Sequence, residues 1–200
     1  GDVFDRGKDV LPIFWLIYKL EQEAQDAGGV VTFMLGNHEE MVLRNNVKYT
    51  QDKYKELARN LGMEYADLWH GNSELGRWLG SRNLIQITGD NLIVHAGLSK
   101  EFTGMGTSVE VVNEEVGKSI FLSKKERQAL SALSDSIYNN RGPFWFRGMV
   151  KDEEKYRPST PEDVDRILEQ YGVNRIFVGH TIFDDVTSFF DGRVIAVNVN

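Results

Sequence analysis

The stretch VVTFMLGNHE, residues 30–39, runs from strand-favouring residues directly into a glycine, an asparagine and a histidine. The same order recurs in NLIVHAG, residues 91–97, and in RIFVGHT, residues 175–181. Each apolar run is typical of a short buried strand. Ligands of open α/β sheets bind outside the carboxyl ends of the strands. We therefore expect three strands to end at one place, each bringing a histidine to it.

Helical patterns separate these strands. The first covers residues 9–27, where five apolar residues share a face: Ile13, Leu16, Ile17, Leu20 and Ala24. Further helical stretches are expected at about 39–81, 108–138 and 160–171. Strands that alternate with helices in this way predict a mixed α/β domain.

Two hairpins are also predicted. Gly89-Asp90 separates candidate strands at 84–88 and 92–95, and Asp191-Gly192 separates two apolar segments near the end of the sequence. Both dipeptides favour tight turns between antiparallel strands. The sheet is therefore expected to be mixed, with parallel and antiparallel neighbours.

Composition excludes several classes of protein. The net charge is -7 and no lysine- or arginine-rich run is present, which argues against non-specific nucleic-acid binding. There is no cysteine, so disulfides and thiolate metal sites are impossible and the compartment, cytoplasmic or periplasmic, stays open. The longest apolar run, residues 10–18, is far shorter than the roughly 20 residues of a membrane span. We expect a soluble protein that binds neither nucleic acid nor membrane.

The strand-end histidines have a simpler interpretation, since a single histidine is often a hydrogen-bonded structural residue. Here three of only four histidines occupy the same setting, while His70 in DLWHGN does not and is expected to be a packing or surface residue. The segment GDVFDRG, residues 1–7, adds two aspartates, which could also be turn residues. Imidazoles, a carboxylate and an amide oxygen together suit manganese, iron or zinc better than calcium. The pattern predicts a metal centre.

These residues resemble a known family. GDVFDRG, GNHE, HAG and GHT, in that order, are similar to the motifs of calcineurin-like metallophosphoesterases, and in particular of the serine/threonine phosphoprotein phosphatase group. The middle of the sequence resembles the bacterial Shewanella-like phosphatase branch. The resemblance implies a four-layer α/β/β/α sandwich with mixed sheets. It also implies one domain over residues 1–200, with a helical insert at about 46–83.

The resemblance implies a set of metal ligands. Asp2 would bridge two divalent metal ions, with manganese expected in vitro, and the shell of one ion would be completed by Asn37, His95 and His180. Relatives carry an Asp-x-His motif on an upstream first strand, and nothing precedes Gly1 in this sequence. We therefore expect an N-terminally truncated domain that lacks this strand and keeps the full ligand shell of one metal ion, where the complete protein would hold two.

The resemblance also implies catalytic roles. His38 would protonate the leaving alkoxide and Asp5 would orient it. Arg6 would bind the phosphate oxygens, and Arg147 in GPFWFRG would be a second arginine clamp, unless it is only an exposed residue beside a core segment. A hydroxide that bridges the two metals would attack phosphorus in line.

The predicted function is hydrolysis of phosphomonoesters, with a phosphorylated protein or a small phosphoester as substrate and with partner proteins unknown. Two alternatives stay open. The helical insert would cover the cleft and decide which substrate fits. The cleft could then admit a nucleotide or dinucleoside polyphosphate instead of a peptide. A chain with half of its metal ligands could also be a non-catalytic phosphate-binding module.

Overall fold

Helices and strands alternate along the chain in the structure, a computed structural model that describes residues 1–200. The nine helices are α1 (Val10–Asp26), α2 (Asn37–Leu43), α3 (Asp52–Asn60), α4 (Glu74–Gly80), α5 (Lys100–Thr103), α6 (Val109–Ser119), α7 (Lys124–Leu130), α8 (Ala132–Tyr138) and α9 (Pro161–Tyr171). Short 3-10 turns span Tyr65–Trp69 and Glu154–Tyr156. The five strands are β1 (Ile85–Thr88), β2 (Asn91–Val94), β3 (Arg175–Val178), β4 (Thr187–Phe189) and β5 (Val194–Ala196). None of the helices combines the length and apolar content that crossing a membrane requires.

The five strands form one mixed sheet in the order β1-β2-β3-β5-β4. β2, β3 and β5 run parallel, in a register that aligns Leu92 with Ile176 and Ile176 with Val194, all fully buried. The outer strands β1 and β4 pair antiparallel through the two predicted hairpins. The predicted mixed α/β class is confirmed. The parallel neighbours β2 and β3 end side by side, which places His95 and His180 together.

The segment at 30–35 is not the regular strand that the sequence predicts. It makes one isolated parallel bridge, between Met34 and Asn83, and the Leu35 N–H donates to the Asn83 carbonyl over 2.9 Å. Val30 and Val31 are exposed while Phe33 and Leu35 are buried, so only the second half of the segment has the buried setting that its composition suggested. A ladder needs a continuous partner strand, and residue 83 approaches at a single point just before β1. The segment nevertheless leads directly into α2.

Helix α1 forms as predicted but buries a different face. Ile13, Leu16 and Leu20, on the predicted apolar face, are 40–54% exposed. Val10 and Phe14 are the buried residues instead. Phe14 lies in an aromatic cluster, with ring centroids 4.7–5.9 Å away in these side chains: Phe4, Phe33, Trp69 and Trp78. Aromatic packing therefore decides the orientation of the helix.

The long helical stretches predicted at 39–81 and 108–138 are each broken into several short helices. In the first, the backbone turns left-handed at Asn45 and Gly62, which ends α2 and α3. In the second, the hydroxyls of Ser108, Ser123 and Ser131 each accept a backbone N–H three residues later. These serines are N-caps, so each of them starts a new helix.

Candidate metal centre and active site

Four donor atoms from separate parts of the chain meet at the carboxyl ends of β2 and β3. The ring nitrogens His95 Nε2 and His180 Nδ1 lie 3.1 Å apart, and Asn37 Oδ1 is 2.8 Å from the first and 2.7 Å from the second. Asp2 Oδ2 lies 3.4 Å from His95 Nε2. Ligand atoms of Asp2, His95 and His180 all fall within 4.8 Å of one another. The structure thus brings the four predicted metal ligands together.

The local backbone explains how these side chains converge. Asn37 is the first residue of α2, and its neighbour Gly36 packs directly against Asp2. A Cβ at Gly36 would lie 2.3 Å from Asp2 Oδ1 and 2.7 Å from the Asp2 nitrogen, so only glycine fits there. Asp2 and His180 themselves adopt left-handed backbone with φ of 61° and 58°. Such values are uncommon outside glycine and cluster at functional sites.

The electrostatics of the cluster suit a cation. Burial lowers the pKa of His95 well below its usual value, and burial followed by the charge of Arg147 lowers the pKa of His180 to about 3. Both imidazoles are therefore neutral at pH 7 and offer lone pairs. Burial, followed by the charge of Glu39, raises the pKa of Asp2 to about 6. Two neutral imidazoles, an amide oxygen and a poorly compensated carboxylate are a suitable donor set for a borderline divalent metal ion.

His38 lies beside this cluster in a second polar group. Its Nδ1 is 2.7 Å from Asp5 Oδ2, and its backbone N–H donates to Asp2 Oδ1 over 3.0 Å. The hydrogen bond that His38 donates to Asp5 is the largest of the effects that raise the pKa of His38. The Thr50 hydroxyl donates to the other oxygen of Asp5 over 2.8 Å, and all three side chains are buried. Sequence analysis did not identify Thr50, which lies 45 residues from Asp5 outside every motif.

Glu39, the last letter of GNHE, is a second residue that sequence analysis passed over. Its side chain is completely buried and accepts four backbone N–H groups. Oε2 accepts from Asp2 and Gly36, both over 2.7 Å, while Oε1 accepts from Val3 over 2.8 Å and from Phe4 over 3.2 Å. This carboxylate holds the GDVFDRG segment against the start of α2. Its place in the motif was the available signal.

The two predicted arginines lie on either side of these groups. The guanidinium of Arg6 is 4.8 Å from the Tyr49 ring centroid, and that ring is 5.6 Å from the ring of His38. Arg147 Nη1 donates to Thr181 Oγ1 over 2.8 Å, next to His180, and burial lowers the pKa of Arg147. All eight predicted site residues therefore lie in one region.

The fourth histidine lies outside this region. The ring of His70 is 5.7 Å from that of Phe121, and its side chain is partly buried. It is a packing residue, in agreement with the expectation from the sequence.

The sequence pattern that defines the calcineurin-like phosphoesterases matches residues 1–183. The chain belongs to the calcineurin-like phosphoesterase family. It is 35% identical to the solved cold-active protein tyrosine phosphatase of a psychrophilic Shewanella species, with a TM-score of 0.92 over 99% of this chain and 58% of that one. This phosphoesterase chain therefore shares its fold with a phosphatase of known structure.

Two relatives of known sequence extend the similarity beyond bacteria. The chain is 27% identical to Shewanella-like protein phosphatase 2 of Arabidopsis thaliana, across 100% of the chain and 60% of the plant protein. It is 29% identical to an uncharacterised protein of Schizosaccharomyces pombe, across 99% of the chain and 59% of the relative. The predicted resemblance to the Shewanella-like phosphatases is confirmed, and these relatives include eukaryotic proteins. The chain spans about three-fifths of the length of these relatives.

Proposed function

We propose that this phosphoesterase hydrolyses phosphomonoesters with the help of divalent metal ions, and that its substrates are phosphorylated proteins. The observation that carries the proposal is the convergence of Asp2, Asn37, His95 and His180 beside the His38–Asp5 pair. Family membership implies divalent metal ions. Two of its relatives are named as protein phosphatases, which supports a phosphoprotein substrate.

The four converging residues would hold the metal. Bound there, a divalent ion would neutralise phosphate charge and lower the pKa of a water molecule, which makes an attacking nucleophile available at neutral pH. We propose manganese as the ion, and Asp2 as the ligand that it shares with a second ion. Asp2 Oδ1 already accepts the N–H of His38, so its carboxylate orientation is fixed before metal binds.

His38 is proposed to supply the proton that the leaving oxygen needs. Its Nδ1 faces Asp5, which leaves Nε2 as the nitrogen free to meet the substrate. The Asp5 carboxylate favours the protonated ring and fixes its orientation. An acid placed in this way matters most when the leaving oxygen is a poor one, such as the alkoxide of serine.

Arg6 and Arg147 are proposed to bind the phosphate oxygens. Phosphoryl transfer requires mostly positioning and charge stabilisation, which guanidinium groups provide through paired hydrogen bonds. Arg147 is already oriented by Thr181, while Arg6 is exposed and lies against the ring of Tyr49. One fixed and one more mobile arginine would together close around the phosphate.

The proposal is tested by comparing His95→Asn with a matched control, His70→Asn. Manganese bound per chain is measured by elemental analysis after loading and desalting, and turnover is measured with p-nitrophenyl phosphate. We expect the wild type and His70→Asn to retain manganese and His95→Asn to lose it together with turnover. Equal metal content in both variants would contradict the assigned metal site.

The same preparation separates the alternative functions. A substrate panel compares phosphopeptides with diadenosine tetraphosphate. Faster hydrolysis of the dinucleotide would favour a nucleotide hydrolase over a protein phosphatase. Retained metal without hydrolysis of any ester would favour the non-catalytic phosphate-binding module.

A further inference from the structure

A cavity of about 580 Å³ opens between α2, α7 and α8. We call it the side pocket. Its lining includes Glu40, Arg44, Lys124, Arg127, Asp135 and Trp145, with amide side chains completing the rim. None of these residues belongs to the predicted metal ligands or to the catalytic groups.

The side pocket adjoins the candidate metal centre along two paths. The ring of Trp145 meets the ring of His180 edge-on, with centroids 5.8 Å apart. Asn37 and Glu40 belong to α2 and Arg44 follows its last residue. At positions i, i+3 and i+7 the three lie along one side of the helix. At 1.5 Å per residue, Arg44 lies roughly 10 Å along the helix from Asn37. An extended peptide advances about 3.3 Å per residue, so a side chain within three residues of a bound phosphoresidue reaches this distance.

The side pocket carries excess positive charge. The buried Glu40 carboxylate is paired with two guanidiniums, Arg44 over 2.6 Å and Arg127 in a close contact. Arg127 is held further by the carbonyls of Ser119 and Ile120 and cannot move toward a ligand. The Arg44 side chain is 30% exposed and still has donors free.

The remaining charges of the pocket favour an anion as well. Lys124 is exposed and forms no ion pair, and Asp135 is the only other acid in the lining. Three cations against two carboxylates stand out in a chain whose net charge is -7. The pocket is therefore a local cationic site on an acidic protein.

We propose that the side pocket binds an acidic side chain of the phosphopeptide substrate, a glutamate or aspartate close in sequence to the phosphoresidue. The inference rests on the proposed function, because it assigns a sequence preference to the same site. Arg44 and Lys124 would donate charge-assisted hydrogen bonds to the incoming carboxylate. The cavity volume leaves room for the side chain together with part of the peptide backbone.

The test uses two fluorescein-labelled peptides in which a phosphonate replaces the phosphate of phosphoserine, so that no turnover occurs. One peptide has two glutamates on each side of the phosphonate and the other has two glutamines. Dissociation constants are measured by fluorescence anisotropy with the manganese-loaded wild type, with Lys124→Glu and with Lys125→Glu. Lys125 is exposed, adjacent and outside the pocket lining, so it controls for the change in net charge.

We expect the wild type to bind the glutamate peptide about three- to tenfold more tightly than the glutamine peptide. General repulsion between an acidic protein and an acidic peptide predicts tighter binding of the glutamine peptide. The sign of the difference in affinity therefore distinguishes the two explanations. Lys124→Glu should abolish the preference and Lys125→Glu should preserve it. Asp135→Asn should increase it.

Each contrary result has a separate meaning. Equal affinities in the wild type, or equal effects of the two lysine variants, would overturn the side-pocket proposal. Absence of peptide binding, while p-nitrophenyl phosphate is still hydrolysed, would overturn the pocket and leave the hydrolytic function standing. A glutamate preference without hydrolysis of any ester would count against the proposed function alone.

Discussion

Replacing Glu39 by glutamine, which exchanges one carboxylate oxygen for an NH₂ group, should strongly destabilise the protein. The carboxylate of Glu39 is fully buried and each oxygen accepts two backbone N–H groups. Glutamine presents one oxygen and one NH₂ group in the same shape. Whichever way the amide turns, two backbone donors then face a donor instead of an acceptor.

The magnitude follows from these contacts. Hydrogen bonds to charged groups contribute about 1.5–3 kcal/mol each, so the loss of two lowers the free energy of unfolding by about 3–6 kcal/mol. A typical domain has about 5–15 kcal/mol in total. With a urea m-value of about 2 kcal/mol/M, the unfolding midpoint should fall by about 1.5–3 M.

The measurement is urea unfolding followed by tryptophan fluorescence, with Glu56→Gln as the control. Glu56 is exposed on α3 and makes neither a hydrogen bond nor an ion pair, so its replacement should change stability by less than about 0.5 kcal/mol. If Glu39→Gln destabilises the protein no more than the control does, then Glu39 does not hold the GDVFDRG segment.

Three further predictions concern the residues around the candidate site. Thr50→Val should lower kcat about tenfold, equivalent to about 1.4 kcal/mol, with KM unchanged, because Asp5 loses a fixed donor; Thr50→Ser should restore most of it. A higher KM with an unchanged kcat would contradict this role. His38→Asn should keep the bound manganese but slow the hydrolysis of alkyl phosphates far more than that of p-nitrophenyl phosphate. Equal slowing of both reactions would contradict the role of His38 as the proton donor. Gly36→Ala should lower both stability and metal content, since the new Cβ would meet Asp2; Gly71→Ala, where the space is open, should do neither, and a tolerated Gly36→Ala would show that Asp2 can shift.

The site was predictable from sequence where its chemistry is local. Each of His38, His95 and His180 follows its segment directly, and short motifs carry Asp2 and Asn37. Thr50 lies outside every motif and contacts Asp5 across 45 residues. Glu39 lies within GNHE, but its function is in backbone contacts that span up to 37 residues. No periodicity or propensity reports such contacts.

The fold was predictable to a similar extent. β2 and β3 pair over their full length, so their patterns were read correctly, whereas the segment at 30–35 has strand composition without a partner ladder. Helix α1 shows the complementary limit, since spacing identifies an apolar face but not which side meets the core. There the ring of Phe14 decides the orientation.

The left-handed backbone at the candidate site has a consequence for the order in which the protein folds and opens. Asp2, Asp5, Arg6 and His180 all have φ between 30° and 69°, which disfavours each of them by about 1 kcal/mol in the absence of tertiary contacts. The contacts that offset this strain come from distant segments, such as Glu39 for Asp2 and Tyr49 for Arg6. The sheet can therefore form before the GDVFDRG segment adopts its final conformation. In hydrogen exchange, the amides of Val3 and Phe4 should open well before those of β2 and β3, so the candidate metal centre should be lost on heating before the sheet unfolds.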